Sequence, residues 1–162
     1  MKASFDIRGH LQPYGAVEMT QEEFEAFFVT QFENAARQEI FEEYRQYTED
    51  LRAIVKVPFV QWIGGSFVTN RENPNDIDLV TVIDHEVYAV HEQAIDEQFS
   101  KWAVGRFYQK IDAYTLWEYP EGHKYHSTFL ADKLYWHDWF ANSRFNRAGK
   151  RFPKGFIQLN IN

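Results

Sequence analysis

Ile63-Gly64-Gly65-Ser66-Phe67-Val68-Thr69-Asn70-Arg71-Glu72-Asn73-Pro74-Asn75-Asp76-Ile77-Asp78-Leu79-Val80 is the stretch whose reading decides the fold. Ahead of it, Phe59 to Ile63 follows Pro58 and reads as a short strand; at its end, Ile77 to Ile83 reads as a second. A Gly-Gly-Ser turn directly after a strand lets the backbone approach an anion closely, because glycine has no side chain and tolerates unusual dihedrals. Phosphate is the natural guest for Gly64, Gly65 and Ser66. A short helix in the next residues would aim its first free N–H groups, with the Ser66 hydroxyl, at that phosphate. Asp76 and Asp78 are two apart in a strand, so their side chains share one face while Ile77 and Leu79 turn into the core. Two carboxylates on one face suit a divalent cation such as Mg²⁺, which takes one or two carboxylates and completes its shell with phosphate oxygens and water.

Working outward, Asp112 in Lys110-Ile111-Asp112-Ala113-Tyr114 has the same apolar-flanked setting on another strand and is the natural third carboxylate, with Asp84 and Asp96 as rivals. Three carboxylates allow two metals to share a site, one on a triphosphate and one lowering the pKa of an attacking hydroxyl.

With these residues the chain resembles the nucleotidyltransferase superfamily with the DNA polymerase beta-like fold. The signature of that superfamily is an apolar residue, Gly, then Gly or Ser, a spacer, and Asp-apolar-Asp or Glu. Here Ile63-Gly64-Gly65-Ser66 is followed by Phe67 to Asn75 and then by Asp76-Ile77-Asp78. The acidic helical front, PNDIDLV and the Lys-Gly-Phe-Ile end look like the small uncharacterised bacterial and phage-borne members. The resemblance implies Mg²⁺-dependent (or Mn²⁺-dependent) transfer of a nucleoside monophosphate from an NTP, with pyrophosphate leaving. It implies as acceptor a tRNA or other RNA 3′ end or a protein hydroxyl, and a setting beside a partner protein such as a toxin–antitoxin pair in phage defence. Asp76, Asp78 and Asp112 would be the catalytic metal ligands. The competing reading keeps the fold as a non-catalytic binding module that neutralises or scaffolds a partner protein.

The remaining chain fits one α/β (α+β) domain, a small mixed sheet with flanking helices. Residues 1–57 form a helical lead-in, 58–119 a catalytic core and 120–162 a C-terminal helix with a basic tail. Residues 1–19 mix Gly, Pro and isolated apolar residues without a period and read as an ordered lead-in with no regular element. Thr20 with Glu23 has capping-box spacing, and Phe24, Phe27, Phe28 and Phe32 recur at helical intervals. A further helical pattern runs from Ala35 to Val55, as a separate helix or the continuation of a bent one. His85 to Ala103 reads as a helix, Phe107 to Tyr119 as a strand, Phe129 to Phe140 as a helix and the terminal GFIQLNIN as an edge strand.

Composition sets the outer limits. The chain has 162 residues, a net charge of −7 and 15 Phe, 9 Tyr and 5 Trp, so large rings build its core and broad non-specific nucleic-acid binding is disfavoured. With no cysteine, disulfides, thiol catalysis and thiolate zinc modules are excluded, and cytoplasmic residence is the expectation. No run has the length of a signal-peptide core or a membrane span. Glu18 to Asp50 holds ten acids against Arg37 and Arg45, which reads as a solvated helix face or as a docking surface for a basic partner. Arg144, Arg147, Lys150, Arg151 and Lys154 crowd five cations into eleven residues, either to hold triphosphate or an RNA acceptor or to balance the acidic helices. Nearby Trp136, Trp139, Phe145 and Phe152 serve core packing or stack a base. His123 and His126 form no helical metal motif.

Overall fold

The structure, a computed structural model, describes residues 2–104 and 107–162. The chain opens with β1 (Ser4–Phe5) and β2 (Leu11–Gln12), an antiparallel pair, then β3 (Gly15–Met19). Thr20 accepts from Glu23 N–H while the Glu23 carboxylate accepts from Thr20 N–H, which closes the capping box and starts α1 (Gln21–Phe28). A 3-10 turn at Thr30–Phe32 separates it from α2 (Ala35–Val55), capped by Asn34, so the helical front is two helices. Then come β4 (Phe59–Gly64), a 3-10 turn (Ser66–Val68), β5 (Ile77–Asp84), α3 (His85–Gln98), α4 (Lys101–Val104), β6 (Ile111–Glu118), α5 (His126–Phe140) and β7 (Gly155–Ile161).

Five strands form one mixed sheet in the order β3-β7-β4-β5-β6. Three expectations change here. Residues 1–19 contribute strands, and β3 pairs in parallel with β7, so the lead-in is part of the sheet. For the same reason β7 is an interior strand, not an edge: β3 covers one side and β4 the other, which leaves most of its residues buried. The helix expected over 85–103 also breaks, because Phe99 caps α3 through its N–H on Ile95 O and Ser100 Oγ donates to Asp96 O.

Alternation along the strands sends two apolar sets to opposite faces. Ile63, Ile77, Leu79, Ile83 and Ile157 pack with Phe24, Phe28, Phe41, Tyr44 and Ile95 from α1, α2 and α3. Trp62, Val80, Val82, Leu116 and Phe156 pack under Phe129 and Phe140 of α5. Among the described residues no helix is long and apolar enough to cross a membrane.

α2 does more than cover the sheet. Arg37 on its first turn is fully buried and donates to the carbonyls of Phe28, Phe67, Thr69 and Arg71, with Phe32 stacked 3.8 Å from its guanidinium carbon. One turn and a half later, Glu43 accepts from Gln109 N–H and Lys110 N–H at 2.7 and 2.8 Å, and Asp50 accepts from the Tyr108 hydroxyl at 2.6 Å. The acidic stretch is therefore partly structural: these carboxylates fix the turn that leads into β6. Elsewhere its acids sit in exposed intrahelical pairs, Glu42 with Arg45 and Glu49 with Arg52, which add little stability. Replacing Arg37 by Met leaves buried carbonyls unpaired, each costing about 1–3 kcal/mol, so urea unfolding should show a loss of about 3 kcal/mol or more. Arg45→Met, on the same helix but exposed, should stay within about 0.5 kcal/mol of the parent.

Candidate active site

Register builds the site. β5 and β6 run parallel with Asp78 paired to Asp112, so the two carboxylates stand side by side on the face covered by α5. Antiparallel pairing of β4 with β5 sets Gly64 opposite Asp78 and delivers the Gly64-Gly65 turn beside that carboxylate. Gly65 has φ +73°, and a Cβ there would fall 1.9 Å from Asp78 Oδ2, so a side chain would strain the backbone and displace the carboxylate at once. Gly64 serves packing instead: a Cβ there would meet the Phe140 ring at 2.4 Å, which places it under α5 rather than in the cleft.

Asp76, one residue before β5, joins Asp78 and Asp112 around a common cleft with two lobes. The polar lobe, about 650 Å³, holds all three carboxylates with Ser66, Thr69, Asn70, Arg71, Arg8 and His10. The aromatic lobe, about 400 Å³, shares Gly65, Asp78, Asp112, Arg144 and Lys154 with it and continues to Tyr114, Tyr135, Trp136, Trp139 and Phe145. Burial, then the charges of Asp76 and Asp112, raise the Asp78 carboxyl to about 6, with Lys154 opposing. Asp76 is raised by burial and by Asp112, with Arg144 opposing. Lys154 is lowered by burial and by the like charge of Arg144, and Asp78 offsets part of this. The three carboxylates thus repel one another inside one partly desolvated space, and a cation between them would relieve that repulsion.

Among the described residues no three His, Cys, Asp or Glu side chains form a ready-made metal cage. A donor set of two or three carboxylates beside a cleft with room for further oxygens still fits Mg²⁺ or Mn²⁺, whose shells are completed by water and by phosphates.

Of the five C-terminal cations the structure brings three to the cleft. Residues 141–154 form a hairpin-like excursion, its base closed by an Asn142–Pro153 bridge and by Ser143 N–H on Phe152 O. Arg144, Arg151 and Lys154 lie near that base and line the cleft. Arg151 is already held by Asp138 through two 3.0 Å hydrogen bonds. Arg147 and Lys150 ride on the exposed tip, where Asn146 N–H donates to Lys150 O, and line neither lobe. The rivals of Asp112 are engaged elsewhere: Asp84 caps α3, and Asp96 accepts from the Tyr88 hydroxyl at 2.7 Å. His123 packs at a tilt against the stacked pair His85 and Tyr119 at the far end of β5 and β6, and His126 Nδ1 lies 2.8 Å from Tyr119 O.

Sequence reasoning missed Arg8, His10, Lys101 and Tyr114. Tyr114 was within reach, since it lies two residues beyond Asp112 on the same strand face. Arg8 and His10 arrive through tertiary contacts alone: His10 bridges to Thr69, Asn70 N–H donates to Gly9 O, and Arg8 stacks 3.8 Å from the Phe152 ring. Lys101 bonds the Tyr114 hydroxyl.

Fold and site together define a small α+β domain with a carboxylate-centred, two-lobed cleft. The chain belongs to a family of unknown function, DUF6932, whose family profile matches residues 3–160. No curated protein and no solved structure matches it.

The raised Asp78 carboxyl has a signed consequence for the metal-free protein. Its folded pKa of about 6 lies above its ordinary value of 3.8, so the folded state holds the proton more tightly, and stability falls as pH rises from about 4 through 6. In EDTA at pH 7.5, Asp78→Asn should therefore unfold at higher urea than the parent, by roughly 3 kcal/mol, and most of the gain should be gone near pH 4. An equal gain at both pH values would refute the charge explanation.

Proposed function

We propose that the chain is a Mg²⁺- or Mn²⁺-dependent nucleotidyltransferase that moves a nucleoside monophosphate from an NTP to a hydroxyl acceptor, an RNA 3′ end or a protein side chain. The observation that carries this reading is the Asp78–Asp112 register beside the Gly65-Ser66 turn, with Asp76 and the cations Arg144 and Lys154 on the same cleft. The finer polymerase beta-like architecture belongs to this proposal, as does a partner protein in a toxin–antitoxin setting.

The polar lobe suits a triphosphate: Ser66, Asn70, Arg71, Arg8 and Lys154 present hydroxyl, amide and cationic donors to it. The acceptor oxygen forms its bond to the α-phosphorus while the bond from that phosphorus to the β-bridging oxygen breaks, and pyrophosphate leaves with the electron pair. Asp112, which lines both lobes, would take the hydroxyl proton. Arg144 and Lys154 offset charge on the phosphate oxygens. A bound divalent cation would supply charge neutralisation and in-line alignment, held by Asp76, Asp78 and Asp112.

The alternative, a non-catalytic module of the same fold that neutralises or scaffolds a partner protein, leaves three mutually repelling carboxylates in one cleft without a use. Incubation with each α-³²P-labelled NTP, Mg²⁺ or Mn²⁺, total RNA and lysate should put label on RNA or protein. The Asp76→Asn and Asp78→Asn double variant should lose transfer while melting at or above the parent temperature in the metal-free state, because it deletes repulsion and keeps shape. ATP with Mg²⁺ should raise the melting temperature of the parent and not of the double variant. Transfer retained by the double variant would remove the carboxylates from the reaction; absence of both transfer and nucleotide binding in the parent would favour the module.

A further inference from the structure

The aromatic lobe holds more exposed ring than a cleft for phosphates needs. Tyr135, Trp139 and Phe145 are 59%, 53% and 67% exposed, and Tyr135 and Trp139, one turn apart on α5, lie nearly parallel with centroids 6.5 Å apart. Tyr114 and Trp136 meet at 4.4 Å behind them and carry the ring surface inward to the strand that bears Asp112. Cations are interleaved with these rings: Lys101 on the Tyr114 ring, Arg151 5.1 Å from the Phe145 centroid, and Arg144 beside it.

Rings alternating with cations along a groove, in a protein of net charge −7, make a local exception to its overall charge. Bases stack on aromatic faces whatever their identity, and cations track the phosphates between them, so this pattern is a single-strand binding surface. A base-paired helix keeps its bases stacked on one another and offers no free ring to Trp139 or Tyr135. A peptide would have less use for the cations. Asn142, on the cleft wall, donates its amide to Asp138 and has, among the described residues, no partner on Oδ1, which leaves an acceptor for a ribose 2′ hydroxyl.

We propose that the aromatic lobe docks a single-stranded RNA end, its bases on Trp139, Tyr135 and Phe145, its phosphates beside Arg144 and Lys101, and its 3′ hydroxyl directed toward Asp112. This assignment rests on the nucleotide-transfer reading only for the direction of the 3′ end; the docking itself is independent.

Fluorescence anisotropy of the full chain with a labelled ten-nucleotide RNA tests it, against the same sequence as blunt duplex, as DNA, and against a labelled peptide containing Ser, Thr and Tyr. Single-stranded RNA should bind best, with affinity falling linearly in log salt. Trp139→Ala should weaken it about tenfold and Trp139→Phe should restore most of the loss. Because Trp139 is half exposed, both variants should melt with the parent, and a melting temperature measured alongside confirms that the loss is local. Equal or tighter binding of duplex, DNA or peptide, a salt-independent affinity, or an unchanged Trp139→Ala would each overturn the proposal. RNA binding without nucleotide transfer would fault the enzymatic reading and leave the docking site standing; transfer to protein with no RNA binding would do the reverse.

Discussion

Four backbone carbonyls converge on the buried guanidinium of Arg37, and three of them, from Phe67, Thr69 and Arg71, belong to the loop between the Gly-Gly-Ser turn and Asp76. A loop of this kind, rich in polar residues, would otherwise have to satisfy those carbonyls with water. Its buried anchor instead fixes where Ser66, Asn70 and Asp76 sit relative to β5. Asn34, at the cap of the same helix, donates to Glu72 O and to Asn73 Oδ1 and extends that hold by one further turn of chain. Glu43 does the equivalent for Asp112 by gripping the two amides just ahead of β6. α2 is thus a rigid rule laid behind the sheet, with one residue set for each loop that feeds the carboxylates.

The cleft then follows from strand pairing. Asp78 and Asp112 are neighbours because β5 and β6 are parallel and in that register, and a slip of one residue would turn one of them into the helical layer packed on the other face. Gly65 accepts the Asp78 carboxylate against its backbone, and Phe140 closes the space above Gly64. Burial of the carboxylates, and then their mutual repulsion, is the stability cost of that arrangement, offset in part by Lys154 and Arg144. Functional sites commonly carry such local strain in charge, and perturbed carboxyls are its signature.

Much of this was legible in the chain. The capping box at Thr20, the α2 period and the strands on either side of Gly-Gly-Ser come from spacing alone, because helix and strand periods are local properties. Asp76 lies one residue before β5, so its place in the cleft beside Asp78 is set by the loop and not by strand alternation. The parts that escaped depend on contacts distant in sequence. β3 is five residues with glycine at its start, and nothing in its own pattern says that it pairs in parallel with β7, which begins at Gly155. Arg8 and His10 enter the cleft through contacts remote in sequence, Gly9 with Asn70, His10 with Thr69 and Arg8 with Phe152. The basic tail is divided by a hairpin whose tip carries Arg147 and Lys150 outward, a geometry invisible to a count of charges. Arg37 reads in the sequence like Arg45 and Arg52, one of three arginines in an acidic helix, and its burial has no local signal at all.

If these three carboxylates hold a divalent cation together with nucleoside triphosphate, electron paramagnetic resonance of Mn²⁺ reads it directly. With the protein and a non-hydrolysable ATP analogue present, the free Mn²⁺ sextet should shrink well beyond what the analogue alone produces, and Asp112→Asn should restore most of it. A parent spectrum indistinguishable from Mn²⁺ with analogue alone, at protein concentrations that saturate the cation, would contradict a metal-centred site.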